Sequence, residues 1–142
     1  MDASVAVKWY LSDEADTVHA LALLADFRDG FVRLIAPEQI RYEVPSAIRN
    51  ALRTGRLTHE QGRQAIASFL SWPVTMVRDK ELVIAAYDLA LRFGGSLYDG
   101  LYLALAEMTG SRLVHADARL HRGLGDHFPL ALWLPDYHPV SR

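Results

Sequence analysis

The part of the sequence that most constrains the fold comprises residues 96–107, followed after a glycine by residues 113–117. Apolar side chains surround nearly the whole helical wheel of the first segment, which predicts a helix with little surface exposed to water. The second segment begins with a short apolar run, which predicts a buried strand. Asp99 lies within the first segment, and an ionised carboxylate buried without a partner is too costly to keep. The sequence therefore predicts that Asp99 is a helix cap, an ion-pair partner or a metal ligand.

The spacing of Ser96 and Asp99 by itself favours the helix cap. It matches a capping box, in which each of the two side chains bonds the backbone amide of the other residue. Asp117 changes this interpretation, because it follows the apolar run at the point where a parallel strand would end. Ligands of open α/β sheets bind at the carboxyl ends of the strands. One acid at a helix start and another at a strand end therefore indicate a candidate site.

Composition limits the class of protein. The chain has 142 residues, of which 51% are hydrophobic and 23% charged, and this fits one globular domain over residues 1–142. We find no apolar run of the ~18 residues that a membrane span needs and no signal-peptide pattern, so we expect a cytoplasmic protein without a membrane anchor. The absence of cysteine excludes disulfides, thiolate zinc sites and a cysteine nucleophile. A net charge of −2 argues against a protein that coats nucleic acid.

Helical and strand-like patterns alternate along the chain. Helices are predicted from about residue 13 to Gly30, after Pro37 to Gly55, from Thr58 through residue 70, and from Asp79 to Gly94. Pro37 also suits the first turn of its helix. Strands are predicted at residues 33–36, 72–77, 113–115 and 128–134. This alternation predicts an α/β fold with a mostly parallel sheet that is covered by helices on both faces.

Four acids stand at predicted element boundaries or beside apolar stripes: Asp2, Glu43, Asp99 and Asp117. Each alone has an ordinary explanation, such as a helix cap or a solvated helix acid. Together they are hard to explain except as a cation site, since two carboxylates about 4 Å apart repel by roughly 1 kcal/mol even in water. Mg²⁺ and Mn²⁺ bind a few carboxylate oxygens plus waters, which leaves positions for a phosphate and an attacking water.

Four sequence blocks contain these acids. In chain order they read DASVAVKW at residues 2–9, APEQIRYEV at 36–44, LYDGLYLALA at 97–106 and LVHADARL at 113–120. The blocks resemble the four signature blocks of PIN-domain proteins, and most of all those of the VapC-like toxin ribonucleases of type II toxin–antitoxin modules. The resemblance covers nearly the whole chain in the family's order.

The resemblance implies a fold and an activity. The fold is a three-layer α/β/α sandwich with a mostly parallel central sheet, and the activity is endoribonuclease cleavage with Mg²⁺ or Mn²⁺. The implied partners are an RNA substrate, a cognate antitoxin protein whose peptide enters the acidic cleft, and a second copy in a homodimer. Ser4 is the implied support that orients Asp2. The implied catalytic residues and metal ligands are Asp2, Glu43, Asp99 and Asp117.

Three features depart from the family pattern. Only Met1 precedes Asp2 where the family has an apolar strand, so we expect a truncated first strand and an amino group that opposes cation binding, unless the natural chain begins earlier. His115 stands where family members commonly have Ser or Thr, and we keep it as a supporting residue. Ser46 replaces a frequent Asn, and Pro45 removes an amide within a predicted helix and is expected to kink it. None of these features removes a ligand.

Three other interpretations remain open. A phosphatase with an aspartate nucleophile would want a second acid two residues after the first, where Ser4 stands. A non-catalytic PIN-like module that binds only RNA or protein is another, although such a module has no need to retain four mutually repelling acids. The third is a zinc site, whose candidate ligands lie in a region expected to form a surface loop: His115, Asp117, His121 and His127.

Overall fold

A computed structural model describes residues 1–140 of the chain. Helices and short strands are interspersed along the chain, although the predicted alternation is interrupted twice by two consecutive helices. The helices are α1 Ala3–Ala6, α2 Thr17–Arg28, α3 Ile40–Arg53, α4 His59–Ser71, α5 Lys80–Phe93, α6 Leu97–Thr109 and α7 Ala118–Leu124. The strands are β1 Ile35–Pro37, β2 Thr75–Val77, β3 Leu113–His115 and β4 Ala131–Trp133. Single turns of 3₁₀ helix cover Val7–Trp9, Gly125–His127 and Leu134–Asp136.

The strands pair in parallel. β1 pairs with β2 so that Ile35 lies opposite Thr75, and β3 pairs with β4 so that Leu113 lies opposite Ala131. The predicted α/β class with a mostly parallel arrangement is confirmed.

The first two residues lie between the two strand pairs. The Met1 amino group donates a hydrogen bond to the Ile35 carbonyl at 3.0 Å. The backbone N–H of Asp2 donates to the Val114 carbonyl at 2.9 Å. Asp2 is therefore held between β1 and β3, although the residues around it form no strand of their own.

Helix α6 carries Asp99 and packs closely on α5. A Cβ atom added at Gly100 would overlap the carbonyl oxygen of Ala86, so the two helix backbones touch at this point. The middle of α6 is buried in the core, but Leu97 and Tyr98 in its first turn are exposed. The prediction that this helix offers little surface to water is therefore wrong for the turn that contains Asp99.

Several predicted boundaries also need correction. Pro37 is the last residue of β1, and α3 begins only at Ile40, so this proline does not belong to the first helical turn. Helix α3 continues without interruption through Pro45. The segment after Asp117, expected to be a surface loop, begins with α7, because the Asp117 side chain caps two backbone amides there. Within residues 1–140, no helix has the length and apolar character needed to cross a bilayer.

Candidate acidic active site

Asp2 is buried and is held by a neutral hydroxyl group. The Ser4 Oγ donates a hydrogen bond to Asp2 Oδ2 and accepts one from the backbone N–H of Ala116 at 2.9 Å. Ser4 therefore joins the Asp2 carboxylate to the chain just before Asp117. Burial raises the pKa of Asp2 above its ordinary value, the Ser4 hydrogen bond opposes this, and the charge of Asp117 raises it further.

Glu43 lies in the first turn of α3 and is also held by a hydroxyl group. The Tyr102 Oη of α6 donates to Glu43 Oε2 at 2.5 Å. Burial raises the pKa of Glu43, the Tyr102 hydrogen bond opposes this, and the charges of Asp2 and Asp99 add to the increase. Tyr102 was not singled out from the sequence as a functional residue. Its position three residues after Asp99, on the same helix face, was the available signal.

Asp99 has two of the roles considered from its sequence, cap and ion-pair partner. Ser96 Oγ accepts from the Asp99 N–H at 3.1 Å, and Asp99 Oδ2 accepts from the Ser96 N–H at 2.8 Å, so the predicted capping box is confirmed. The same Oδ2 atom accepts a hydrogen bond from Arg119 Nη2 at 2.8 Å. Sequence reasoning missed Arg119, whose position two residues after Asp117 was the available signal.

Asp117 follows β3, as its position past the apolar run predicts. Its side chain also caps α7, which was not predicted from the sequence. Its Oδ1 atom accepts from the backbone N–H groups of Arg119 and Leu120 at 2.7 and 3.0 Å. The unsatisfied amides at a helix start and the positive end of the helix dipole both favour a carboxylate at this position.

The four acids share one electrostatic neighbourhood. The charge of Asp117 acts on Asp2, and the charges of Asp2 and Asp99 act on Glu43. We call Asp2 and Glu43 the inner pair, and Asp99 and Asp117 the outer pair. Among the ion pairs formed within residues 1–140, none includes an inner acid.

The donor set of this cluster suits a hard divalent cation, because every candidate ligand is a carboxylate oxygen. In the structure, however, we find no group of three or more His, Asp or Glu residues within residues 1–140 that could hold a metal ion. The outer acids face backbone amides and Arg119 instead.

His115 lies two residues before Asp117 and is fully buried. Neither ring nitrogen has a hydrogen-bond partner within the described residues. Its ring lies 5.7 Å from that of His121 and 5.3 Å from that of Trp133, which itself stacks on His121 at 4.4 Å. Burial lowers the pKa of His115 to about 4, and the neighbouring His121 contributes to the decrease. Across residues 1–140 the histidines form no metal-binding group with Asp117.

The Met1 amino group was expected to oppose a bound cation. Its burial lowers its pKa to about 6, and the charge of Asp2 opposes this decrease. The expected opposition to a cation stays a prediction.

Comparison with known proteins identifies the family. The PIN domain family matches residues 1–123, so the chain belongs to that family. It is similar to Ribonuclease VapC12 of Mycobacterium tuberculosis, from strain CDC 1551 / Oshkosh and from strain ATCC 25618 / H37Rv. Each relative is 32% identical over 132 residues, which cover 93% of this chain and 96% of the relative. The VapC-like resemblance read from the four sequence blocks is confirmed.

Proposed function

We propose that this chain is an endoribonuclease that hydrolyses RNA phosphodiester bonds with Mg²⁺ or Mn²⁺. The observation that carries the proposal is the inner pair of acids, whose pKa values are raised and which have no ion-pair partner within residues 1–140. Such carboxylates destabilise a metal-free protein, and a divalent cation removes the repulsion. The ribonuclease activity in the names of the two relatives supports the same function.

The residues around the cluster have separate roles in this proposal. Ser4 and Tyr102 donate hydrogen bonds that favour the ionised forms of Asp2 and Glu43 and fix their orientation. A bound Mg²⁺ or Mn²⁺ would lower the pKa of a coordinated water and neutralise charge on the phosphate. Hydrolysis joins the water oxygen to phosphorus, breaks one phosphorus–oxygen ester bond, and transfers a proton from the water to the leaving oxygen. The inner and outer carboxylates together are the proposed ligands.

The direct test is RNA cleavage by the wild type and by Asp99→Asn in Mg²⁺, Mn²⁺ or EDTA. We expect cleavage only with metal and loss of cleavage in the variant, whose circular dichroism should stay unchanged. Asp88→Asn is the matched control, because Asp88 is an exposed acid on α5, outside the cluster. Equal cleavage by wild type and Asp99→Asn would reject the assignment. RNA binding without cleavage under all conditions would favour the non-catalytic module instead.

We also propose that the chain is the toxin of a type II toxin–antitoxin module and acts in the cytoplasm. A cognate antitoxin would inhibit it by placing a cationic side chain against the inner acids, in the way that Arg119 already binds Asp99. Co-purification with the candidate antitoxin tests this proposal. We expect Asp2→Asn to weaken the complex and Asp88→Asn to leave it unchanged.

A homodimer is the third part of the proposal. Ile84, Tyr87 and Leu91 are exposed apolar side chains at helical spacing on the outer face of α5. We assign this face to contact with a second copy. Sedimentation at micromolar concentration should show a dimer for the wild type and a monomer for Leu91→Glu. Leu70→Glu, which alters an exposed leucine on α4, is the control that should remain dimeric.

A further inference from the structure

Arg119 connects the two outer acids. Its side-chain Nη2 donates to Asp99 Oδ2 at 2.8 Å, while its backbone N–H donates to Asp117 Oδ1 at 2.7 Å. The guanidinium group also experiences the charge of Asp117 in addition to that of Asp99, and both raise its pKa. The second residue of α7 is thus fixed to one outer acid through the backbone and to the other through the side chain.

The contact with Asp99 uses an oxygen atom that is already occupied. Asp99 Oδ2 accepts from the Ser96 N–H and from Arg119 at the same time, both at 2.8 Å. A metal ion that takes this oxygen as a ligand must compete with the guanidinium group for it. The absence of any arrangement of three acids around one point within residues 1–140 agrees with an Asp99 carboxylate that is held aside.

The two partners differ in how easily they move. The Arg119 side chain is 59% exposed, whereas that of Asp99 is 17% exposed. The pair is weakened on the arginine side, because water solvates the guanidinium group and the long side chain loses freedom in the pair. The guanidinium group can therefore leave Asp99 at little cost, while the inner acids have no such partner to exchange.

We propose that Arg119 is a positioning residue for Asp99: it neutralises this acid in the metal-free protein and is displaced when a divalent cation binds. The inference rests on the metal-dependent function proposed above. Arg119 is then an internal competitor of the metal: it occupies Asp99 Oδ2 until the cation binds.

The test measures Mn²⁺ binding by titration calorimetry, without RNA, for the wild type, Arg119→Gln, Arg119→Lys and Arg122→Gln. Arg122 is an exposed arginine on the same helix that forms no ion pair within residues 1–140, so its variant controls for the loss of one positive charge. We expect Arg119→Gln to bind Mn²⁺ about two- to fivefold more tightly than the wild type, the size that an exposed ion pair supports. Arg119→Lys should fall between them, and Arg122→Gln should resemble the wild type.

Melting curves in EDTA and in saturating Mn²⁺ provide a second readout. Arg119→Gln should melt below the wild type in EDTA, and the difference should disappear with Mn²⁺, because the metal-bound protein no longer contains the Asp99 ion pair. Unchanged Mn²⁺ affinity in Arg119→Gln, or an equal loss of melting temperature under both conditions, would show that Arg119 has only a structural role. If the wild type and Arg122→Gln bind no Mn²⁺ at all, the proposed metal-dependent function fails, and this inference fails with it.

Discussion

The inner and outer pairs of acids are stabilised by different kinds of partner. Asp2 and Glu43 are held by the neutral hydroxyl groups of Ser4 and Tyr102. Asp99 and Asp117 lie at helix starts, where backbone N–H groups bond them, and Asp99 also pairs with Arg119. The outer acids are thus paired with backbone N–H groups and a cation, while burial and neighbouring acids raise the pKa values of the inner acids despite their hydroxyl partners.

This difference assigns separate physical roles to the two pairs. Helix N-termini and a guanidinium group favour ionised carboxylates, so the outer pair contributes to the stability of the metal-free fold. Burial and mutual repulsion disfavour the ionised inner pair, which therefore lowers that stability at neutral pH. The inner pair is the part of the site that gains most from a divalent cation.

The largest expected effect comes from neutralising one acid at a time. Asp2→Asn, Glu43→Gln and Asp99→Asn should each reduce RNA cleavage at least about a hundredfold, since loss of one charged ligand removes several kcal/mol of transition-state stabilisation. Their melting temperatures in EDTA at neutral pH should move in opposite directions. The inner variants should melt above the wild type, and Asp99→Asn should melt below it.

Gel-based cleavage assays and calorimetric melting provide these two measurements. If all three variants shift the melting temperature in the same direction, the distinction between inner and outer pairs is wrong, whatever the cleavage result. Added Mn²⁺ should raise the melting temperature of the wild type above those of both inner variants, because it stabilises the wild type more.

The next effect concerns the packing that places Asp99. Gly100→Ala should destabilise the protein by about 3 kcal/mol, because the added methyl group overlaps the Ala86 carbonyl oxygen and forces α6 away from α5. Denaturant unfolding measures this change. Gly62→Ala on α4 is the control, since its new Cβ would lie at an ordinary 3.5 Å from Ile48. We expect the control to be neutral or slightly stabilising, because alanine favours a helix over glycine.

The helix starts and the strand end that carry the acids were predictable from the sequence, but the side-chain contacts of the acids with Tyr102 and Arg119 were not. The capping box at Ser96 and the helix start at Thr58 were correct because each depends on residues only three positions apart. The position of Asp117 after a strand followed from a short apolar run, and the parallel pairing of the strands from the helices between them. Each of these signals is local in the chain.

The contacts made by Tyr102 and Arg119 are not local in this sense. Tyr102 reaches Glu43 across 59 positions of sequence, and Arg119 reaches Asp99 across 20. Both side chains have common alternative roles, as a core aromatic and as a solvated cation, so composition and spacing do not select between them. The exposure of the first turn of α6 was missed for a related reason, because a helical wheel does not show which part of a helix the other elements cover.

A smaller effect concerns how the free energy of unfolding changes with pH. The buried His115 and the inner acids should change it in opposite directions. The pKa of His115 in the folded protein is lowered to about 4 from an ordinary value of 6.5. Between these values the unfolded chain binds a proton that the folded protein does not, so stability falls as the pH decreases through this range. His115→Phe should remove slightly less than about 3 kcal/mol of this loss between pH 7 and pH 4.

Urea unfolding at several pH values tests this prediction. The raised pKa values of Asp2 and Glu43 act in the opposite direction, since the folded protein then takes up protons more readily than the unfolded chain. The comparison between wild type and His115→Phe isolates the histidine from this background. Parallel pH profiles for the two proteins would show that His115 does not titrate on unfolding.

The smallest expected effect is a difference in pH dependence between two hydroxyl groups. Tyr102 donates a hydrogen bond to the inner acid Glu43, and Ser96 caps the helix that carries the outer acid Asp99. Tyr102→Phe removes the donor to Glu43 and should cost about 1 kcal/mol at neutral pH, because a partly buried carboxylate loses its hydrogen bond. That hydrogen bond favours the ionised form, so its contribution is present at high pH and is lost as the pH falls through the pKa of Glu43 in the folded protein.

Ser96→Ala removes an acceptor of a backbone N–H and should also cost about 1 kcal/mol, but without this pH dependence. Urea unfolding of both variants from pH 7 to pH 4 should therefore show a deficit that shrinks for Tyr102→Phe and stays constant for Ser96→Ala. A constant deficit in both would mean that the Tyr102 hydroxyl group stabilises the fold regardless of the charge on Glu43.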